Sequence, residues 1–347
     1  MKKIAIIGYG GQGAWHAEHA MHSDVVALAG VYDISAARCD AARERGIRVY
    51  SSREELLSDP EVDIVVCATP NDSHKEIVIS ALRAGKHVIC EKPVALSVTD
   101  FDDMCREAEA AGRLLTVHQN RRWDVDYLAI QSLLHTGEIG EAVNIESRIH
   151  GSRGIPSDWR CKAEHGGGMI YDWGVHLIDQ LLQLIPEKVT HIYCEMTHIT
   201  EKEVDDGFTL HMTFESGKRA TVEVGTYNFL PLPRFYMQAT DGTAVIDDWQ
   251  KNCRVARLLA WCERDVLPVQ TAAGITKTMA PRDSLTLKTY ECPRPTSDVH
   301  DFYRNFTSAI DGKCDMAIKP DEVRRVLSVI EAAIASGESK NAIFVNI

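Results

Sequence analysis

The stretch "KIAIIGYGGQG", residues 3–13, decides the fold because a short apolar run ends directly on a glycine-rich turn. The run is typical of a buried β-strand, and Gly8, Gly10 and Gly13 then form the pattern G-x-G-x-x-G in front of a helical sequence. Glycines at this spacing allow a tight turn and let the backbone approach a pyrophosphate at a helix N-terminus. The stretch therefore predicts a strand, a dinucleotide-binding turn and a helix.

The residues around this turn refine the predicted cofactor. Asp33 lies twenty residues beyond Gly13, at the end of the next apolar run. A carboxylate at that place accepts hydrogen bonds from the adenosine ribose hydroxyls and repels a 2′-phosphate, which favours NAD over NADP. Arg38 lies close enough in sequence to keep NADP open. We also assign Gln12, inside the turn, to cofactor binding.

The first 120 residues alternate short apolar runs with helical patterns. Continuous β-branched runs that alternate with helices indicate a parallel sheet covered on both faces, which is a doubly wound, Rossmann-type α/β domain. The predicted strands cover residues 3–8, 25–33, 63–69, 87–91 and 114–119.

The remaining residues, 121–347, predict a second, α+β domain for substrate binding and oligomerisation. A helix over 124–136 and the segment 166–179 precede a series of strand patterns with tight connections, which favours a large, mostly antiparallel or mixed sheet. Two domains, at 1–120 and 121–347, agree with a length of 347 residues. The predicted strands cover 188–198, 207–216, 217–228, 234–242 and 243–249, and closing helices cover 299–311 and 321–337.

Composition excludes several classes of partner and location. The formal net charge is −12 and the sequence pI is about 5.6. Nucleic acid and anionic membrane surfaces need a basic patch, so we expect neither as a partner. No apolar run approaches the roughly 18 residues of a membrane span. The ten cysteines are scattered and form no C-x-x-C, which indicates free thiols in a reducing compartment, and we expect a cytoplasmic protein.

Polar residues follow the third and fourth predicted strands, at the edge where open parallel sheets bind ligands. Pro93 restricts the backbone of Lys92 to extended geometry and so fixes the direction of its side chain. The ordinary alternative for residues 69–74 is a turn with a helix cap, and the ordinary alternative for Lys92 is a solvated surface lysine. The residues assigned to the cofactor here are Thr69, Pro70, Asn71, His74, Glu91 and Lys92.

The segment "GGGMIYDWGVHLID", residues 166–179, places Asp172 and His176 four residues apart, so both lie on one face of an α-helix. We expect the three glycines at 166–168 to let a substrate approach the backbone at the helix start. An ordinary helix ion pair, which stabilises by about 0.2–0.5 kcal/mol, is the alternative. The segment predicts half of a site whose other half is Lys92.

The chain resembles the Gfo/Idh/MocA oxidoreductases, named for glucose–fructose oxidoreductase and inositol dehydrogenase. The resemblance covers nearly the whole chain through "IGYGGQG", "ATPNDSH", "CEKP", "HQNRRWD" and the glycine-led D-x-x-x-H segment. It implies that Lys92, Asp172 and His176 are catalytic and line the substrate beside the nicotinamide. Histidine suits proton transfer near neutral pH, and a lysine cation stabilises negative charge on the reacting oxygen. We assign His176 as general base, Lys92 as oxygen anchor and Asp172 as orienter, and exchange of the first two roles stays open.

Two further segments contribute predicted substrate-binding residues. In "NRRWD" we assign Arg122 to the substrate, against the alternative of a salt bridge at the domain boundary. In "IPSDWR" we expect Trp159 to stack on a sugar ring and Arg160 to hydrogen-bond it.

Three histidines, His16, His19 and His22, are spaced like metal ligands. They follow the glycine turn on one predicted helix, and steps of three residues drift around a helix. We therefore expect structural or surface roles for them and no metal site.

The resemblance implies an NAD(P)-dependent oxidoreductase that acts on a secondary hydroxyl of a cyclic polyol, sugar or glycoside. The specific cases that it implies are inositol oxidation and oxidation of a glucoside to its 3-keto form. A keto-sugar reductase working in the opposite direction would use the same site. A catalytically silent, nucleotide-sensing regulator is the alternative of another class, and intact Lys92, Asp172 and His176 argue against it. The resemblance also implies a homodimer or homotetramer assembled through the sheet of the second domain.

Overall fold

The computed structural model describes residues 1–259, 268–282 and 284–347, and it begins with the expected parallel sheet. The strands run in the order β2-β1-β3-β4-β5, and every pairing between them is parallel. Because β1 lies between β2 and β3, the chain changes direction there and leaves a crevice at the carboxyl ends of the strands. The strands are β1 Lys2–Ile7, β2 Val26–Tyr32, β3 Ile64–Cys67, β4 His87–Cys90 and β5 Leu115–Val117.

Helices connect these strands, and the side chains of the central strands are fully enclosed. All four residues of β3 are buried, as expected for a strand covered on both faces. The longest of these helices, α5 Val98–Ala111, is capped at its start by Ser97, whose hydroxyl accepts from the backbone N–H of Asp100, and at its end by Gly112 in the left-handed conformation. The helices are α1 Gly11–Met21, α2 Ala36–Glu44, α3 Arg53–Ser58, α4 His74–Arg83 and α5 Val98–Ala111.

The rest of the chain forms a nine-stranded sheet in the order β15-β12-β11-β10-β6-β9-β8-β7-β16. Only the β6–β9 pairing is parallel among the described pairings of this sheet. The predicted fold class, a Rossmann-type domain followed by an α+β domain with a mixed sheet, is confirmed. The strands are β6 Ala142–His150, β7 Val189–Thr197, β8 Gly207–Phe214, β9 Arg219–Gly225, β10 Phe235–Ala239, β11 Gly242–Ile246, β12 Cys253–Leu258, β15 Leu287–Cys292 and β16 Ile343–Phe344. A separate hairpin is formed by β13 Val269–Thr271 and β14 Gly274–Thr276, and the helices are α6 Val125–Thr136, α7 Val175–Leu184, α8 Asp301–Ile310 and α9 Pro320–Ser339.

Two hydrophobic cores correspond to the two sheets. The first is built from residues 4–117, but Phe302, Tyr303 and Phe306 of α8 also belong to it. The second packs α7 and α9 against one face of the nine-stranded sheet. Residues of α8 therefore complete the core of the first domain. A domain boundary at residue 120 stays a proposal.

Within the described residues, no helix is both long enough and apolar enough to cross a membrane.

Candidate active site

A cavity of about 490 Å³ lies where the carboxyl edge of the parallel sheet faces the second domain. A neighbouring cavity of about 570 Å³ extends along the end of β2. Arg38, Thr69 and Pro70 line both cavities, so the two adjoin, and together they are called the groove below. Predicted residues that line the first are Gly10, Gln12, Thr69, Pro70, Asn71, Glu91, Lys92, Trp159, Arg160, Asp172 and His176, and those that line the second include Gly8 and Asp33.

The glycine turn at the start of the groove leaves no room for side chains at two positions. A Cβ on Gly13 would lie 1.7 Å from the carbonyl oxygen of Gly8, and a Cβ on Gly8 would lie 2.5 Å from that of Ala68. Gly8 also has a φ of +95°, which L side chains rarely adopt. Gly13 therefore does not line the groove but keeps the turn closed, while Gly11 faces open space at the start of α1. The unpaired N–H groups there fit a pyrophosphate.

Asp33 stands at the end of β2 with both carboxylate oxygens occupied. Oδ2 accepts from the backbone N–H of Tyr9 at 2.7 Å, and Oδ1 accepts from that of Ser35 at 2.8 Å. The guanidinium of Arg38 lies 3.4 Å from Oδ2. The predicted acid and the predicted cation therefore sit side by side in the wall of the second cavity.

The turn after β3 is held by His74, which does not line either cavity. Its Nε2 lies 2.9 Å from the carbonyl oxygen of Thr69, and its Nδ1 lies 3.0 Å from that of Pro93. The side-chain amide of Asn71 donates to the carbonyl of Gly166 at 3.0 Å. His74 thus links the turn after β3 to the turn after β4. Asn71 links the turn after β3 to the second domain.

Glu91 forms a buried polar network behind the groove. Its Oε1 lies 2.9 Å from Nε2 of His16 and 2.8 Å from Nδ1 of His118, and Nδ1 of His16 lies 2.5 Å from the hydroxyl of Tyr303. Burial opposes ionisation of Glu91, but His118 and His16 hold its pKa well below the usual value. Burial lowers the pKa of His16 to about 4.

The three helix-spaced histidines do not converge on one point. His16 is buried against Glu91, His19 packs on the ring of Trp15 at 4.2 Å, and the exposed His22 bonds the backbone of Glu18. Each therefore has a structural partner of its own.

Lys92 reaches across the groove to Asp172. Its Nζ donates to the carboxylate of Asp172 at 2.9 Å and to the backbone carbonyl of the same residue at 2.8 Å. The guanidinium of Arg160 lies 3.6 Å from the other carboxylate oxygen. Burial opposes the charged form, but these two cations outweigh it and hold the pKa of Asp172 below its usual value.

His176 begins the regular part of α7, one turn after Asp172. Residues Ile170–Gly174 form a π-helical turn rather than the expected α-helix, and such turns are frequent at functional sites. Nδ1 of His176 is enclosed without a hydrogen-bond partner. Burial and then the charges of Lys92 and Arg121 lower the pKa of His176 well below 6.5. The alternative of a helix ion pair between His176 and Asp172 is absent from the described contacts, where Asp172 pairs with Lys92 and Arg160 instead.

The glycines at 166–168 have a different role from the predicted one. A Cβ on Gly166 would lie 2.1 Å from a side-chain carbon of Leu96, and a Cβ on Gly168 would lie 2.2 Å from a carboxylate oxygen of Asp205. Neither glycine lines the cavity. They allow close packing of the segment on its neighbours, so the prediction that they admit substrate was wrong.

The structure also corrects the assignment of Arg122, which does not line the cavity. Its guanidinium donates to both carboxylate oxygens of Asp179, at 2.8 and 2.6 Å, and to Glu322 at 2.6 Å. Burial raises the pKa of Asp179 even though Arg122 opposes the shift. The alternative of a salt bridge at the domain boundary describes Arg122, and its neighbour Arg121 lines the cavity instead.

Several cavity residues have no assignment from the sequence. Trp173 is partly buried, and its place between the predicted site residues Asp172 and His176 is the sequence signal that could identify it. The others carry no distinctive pattern. The unassigned lining residues are Gly11, Arg38, Ala68, Asn120, Arg121, Asp158 and Trp173.

Comparisons with known proteins agree with this architecture. Residues 2–119 match the oxidoreductase family described as having an NAD-binding Rossmann fold, and residues 127–245 match the GFO/IDH/MocA C-terminal domain. The crystal structure of an NAD-binding protein from Listeria innocua is 41% identical, covers 99% of both chains and has a TM-score of 0.96.

Curated relatives include enzymes with inositol substrates in their names. A scyllo-inositol 2-dehydrogenase (NADP(+)) of Bacillus subtilis is 28% identical over 98% of this chain and 95% of its own. A myo-inositol 2-dehydrogenase of Thermotoga maritima is 27% identical over 64% of this chain and 67% of its own. With both halves matched and the groove in place, the chain belongs to the Gfo/Idh/MocA family and is an NAD(P)-dependent dehydrogenase.

Proposed function

We propose that the protein oxidises a secondary hydroxyl of an uncharged cyclic polyol, sugar or glycoside and passes the hydride to NAD(P)⁺. The observation that carries the proposal is the meeting of Lys92, Asp172 and His176 in one cavity, beside the glycine turn that fits a dinucleotide. Inositols and the 3-position of a glucoside are the specific substrates we favour. The inositol dehydrogenases among the relatives support this substrate class.

The charges of the cavity support an uncharged substrate. Lys92 is paired with Asp172 at 2.9 Å, and Arg121 is paired with Asp124 at 2.9 Å. Arg160 lies 2.8 Å from Asp158. Arg38, the fourth cation among the described residues that line the cavity, lies 3.4 Å from Asp33. Each of these four cations has a carboxylate partner, so none of them calls for a phosphate or carboxylate on the substrate.

The proposed mechanism uses Lys92 to hold the reacting oxygen. An ammonium has three N–H donors, and two of them bond Asp172, so one is left for the substrate oxygen. This donor stabilises negative charge that develops on the oxygen as its proton leaves. Asp172 holds the ammonium in place and also accepts a substrate hydroxyl.

His176 is proposed to take the hydroxyl proton. Its pKa lies well below 6.5, so at neutral pH the imidazole starts unprotonated, as oxidation requires. Because Nδ1 is enclosed, the proton moves to Nε2. Bound NAD(P)⁺ supplies the hydride acceptor. The reverse reaction would use the same residues, with His176 returning the proton to the oxygen.

We further propose that NAD is preferred to NADP. Asp33 stands in the wall of the second cavity with its negative charge only partly offset by Arg38 at 3.4 Å. That charge repels a 2′-phosphate. Titration of the protein with NADH and with NADPH, followed by nicotinamide fluorescence, tests this preference, and equal or tighter NADPH binding would contradict it.

We also propose a homodimer or homotetramer formed through the outer face of the nine-stranded sheet. Helices α7 and α9 cover one face, while side chains on the other face include Tyr193 and His211, whose rings stack at 6.5 Å. Light scattering of the purified protein decides this, and a monomer at micromolar concentration would contradict it.

A panel of inositols, free sugars and glycosides tests the proposed reaction, with NAD⁺ and NADP⁺ reduction followed by nicotinamide absorbance. We expect at least one ring compound to reduce one cofactor. If no ring compound reduces either cofactor, and no ring ketone oxidises the reduced forms, the proposed function is wrong.

A further inference from the structure

The wall of the catalytic cavity continues towards solvent as a pair of stacked indoles. Trp173 lines the cavity, and Trp249 lies against it with ring centroids 5.8 Å apart and planes inclined by 28°. The guanidinium carbon of Arg121 lies 4.2 Å from the ring of Trp173 and 5.8 Å from that of Trp249. Trp249 remains 45% exposed. An aromatic surface therefore leads from the reactive residues out of the cavity.

The loop that carries Trp249 is held in place by hydrogen bonds. Arg294 donates to the backbone carbonyl of Trp249 at 2.8 Å and to that of Gln250 at 2.5 Å. Within the loop, Asp248 accepts from the backbone N–H of Gln250 at 2.8 Å. An exposed indole on a fixed loop is prepared for contact, since little conformational freedom is lost when a ligand binds it.

The pair offers stacking rather than hydrogen bonding. Arg121, the polar group against both rings, already donates to Asp124 at 2.9 Å. Indole faces stack on apolar and aromatic groups with a preference for offset geometry. A flat, apolar group gains most from stacking on this surface, whereas the hydroxyl groups of a sugar ring gain most from Lys92 and Asp172.

We propose that Trp173 and Trp249 form a subsite for an aromatic aglycone, so that the preferred substrates are aryl glycosides. The inference rests on the proposed function, because the sugar ring of such a substrate lies at Lys92, Asp172 and His176. Trp173 lines the same cavity as these residues and Trp249 stacks on it, so an aromatic substituent of the bound ring can contact both indoles. The subsite selects the substrate by its aglycone, while the catalytic residues act on the sugar.

The test compares a phenyl glycoside with the methyl glycoside of the same sugar. For the wild-type protein we expect kcat/KM to be about threefold to tenfold higher for the phenyl compound, the range that one aromatic stacking contact supplies. Trp249→Ala should bring this ratio close to one, and Trp249→Phe should keep part of it. Phe344→Ala is the matched control, since Phe344 is 78% exposed on β16, at the edge of the sheet away from β12 and β15.

The outcomes separate this inference from the proposed function. A wild-type ratio near one, or an unchanged ratio in Trp249→Ala, would overturn the subsite while leaving sugar oxidation intact. If no ring compound is oxidised, the proposed function fails, and calorimetric titration with the phenyl glycoside decides the subsite alone. Binding that Trp249→Ala abolishes and Phe344→Ala keeps would support it, and absence of binding to the wild type would overturn it. Phenyl selectivity that appears only in monomers and vanishes in an oligomer would show that a second copy covers Trp249, which also overturns it.

Discussion

The two sides of the catalytic groove are built in different ways. The cofactor side consists of turns at the carboxyl ends of β1, β3 and β4, all within the first 92 residues, and its shape depends on backbone geometry. The substrate side joins residues 120–121, 158–160 and 172–176, which side-chain ion pairs and aromatic contacts hold together.

This difference says which kind of substitution damages each side. On the cofactor side an added methyl group collides with backbone that cannot move, so folding and cofactor binding fail together. On the substrate side the backbone tolerates change, and turnover or selectivity is lost while the fold survives. If substitutions on the two sides had the same effects on folding, cofactor binding and turnover, the proposed difference between the sides would be wrong.

The largest effect is expected at Gly13. In Gly13→Ala the new Cβ meets the carbonyl oxygen of Gly8 at 1.7 Å, and backbone on both sides leaves no room to relax. We expect the free energy of unfolding to fall by more than about 3 kcal/mol, with loss of NAD(P)H binding. Gly11→Ala is the matched control, because nothing lies within 4 Å of its added Cβ. Chemical denaturation measures both, and a stable, cofactor-binding Gly13→Ala protein would refute the account of the turn.

Lys92 stands in the turn after β4 but its side chain bonds Asp172 on the substrate side, so Lys92→Met should remove turnover without removing the cofactor. We expect kcat to fall by about 10²–10⁴-fold, because the reacting oxygen loses its charged donor. NADH affinity, measured by fluorescence titration, should change by less than about threefold, since the glycine turn is untouched. Thermal unfolding of the variant serves as the control for folding. A loss of cofactor binding equal to the loss of rate would show that the two sides are not separable.

The neighbouring arginines sharpen the comparison within one short turn. In Arg122→Met the carboxylate of Asp179 stays buried without its partner, and we expect a loss of about 3–5 kcal/mol in the free energy of unfolding. In Arg121→Met we expect less than about 1 kcal/mol, because its partner Asp124 is partly exposed, but a clear change in KM. Denaturant unfolding together with steady-state kinetics distinguishes the two. Equal destabilisation by both substitutions would contradict the assignment.

The smallest effect concerns Asp205, beneath the π-helical turn. Burial raises the pKa of Asp205 to about 7, so the folded protein binds a proton that the unfolded chain releases above about 4. The stability that this proton contributes is complete at low pH and is lost as pH rises to about 7. We expect a contribution of about 1–3 kcal/mol, which Asp205→Asn should remove from the pH dependence of unfolding.

Asp206 is the matched control for this pH dependence. Burial opposes its ionisation, but hydrogen bonds from Thr200 and Thr197 hold the pKa of Asp206 below its usual value. Its contribution therefore has the opposite sign and is lost as pH falls. If Asp205→Asn and Asp206→Asn change the slope in the same direction, the role given to Asp205 is wrong.

Much of the cofactor side could be predicted from the sequence because its constraints are local. The glycine spacing, the apolar runs and Asp33 follow from the chemistry of a short segment, and the family resemblance added Lys92, Asp172 and His176. Arg121 and Arg122 show where such reasoning stops. They are consecutive in the 3₁₀ turn Asn120–Trp123, so their side chains leave in different directions, and only the position of Asp179, 57 residues later, decides which one is buried.

The glycines at 166–168 show the same limit. A glycine can make room either for a bound ligand or for neighbouring protein atoms, and the sequence alone does not distinguish these two roles. Leu96 and Asp205, which explain Gly166 and Gly168, lie 70 residues before and 37 residues after them. For Trp173 the sequence offers only its place between Asp172 and His176, because helix periodicity does not indicate that a π-helical turn directs its indole into the cavity.

The central claim is that His176 and Lys92 assist hydride transfer from a ring carbon in this cavity. The most direct measurement is a single-turnover reaction with a ring polyol deuterated at its carbinol carbons, followed by mass analysis of the reduced cofactor. The account predicts one deuterium in the cofactor, and a rate that falls by about 10²–10⁴-fold in His176→Gln while cofactor affinity stays unchanged. Reduced cofactor without deuterium, or an undiminished rate in His176→Gln, would contradict it.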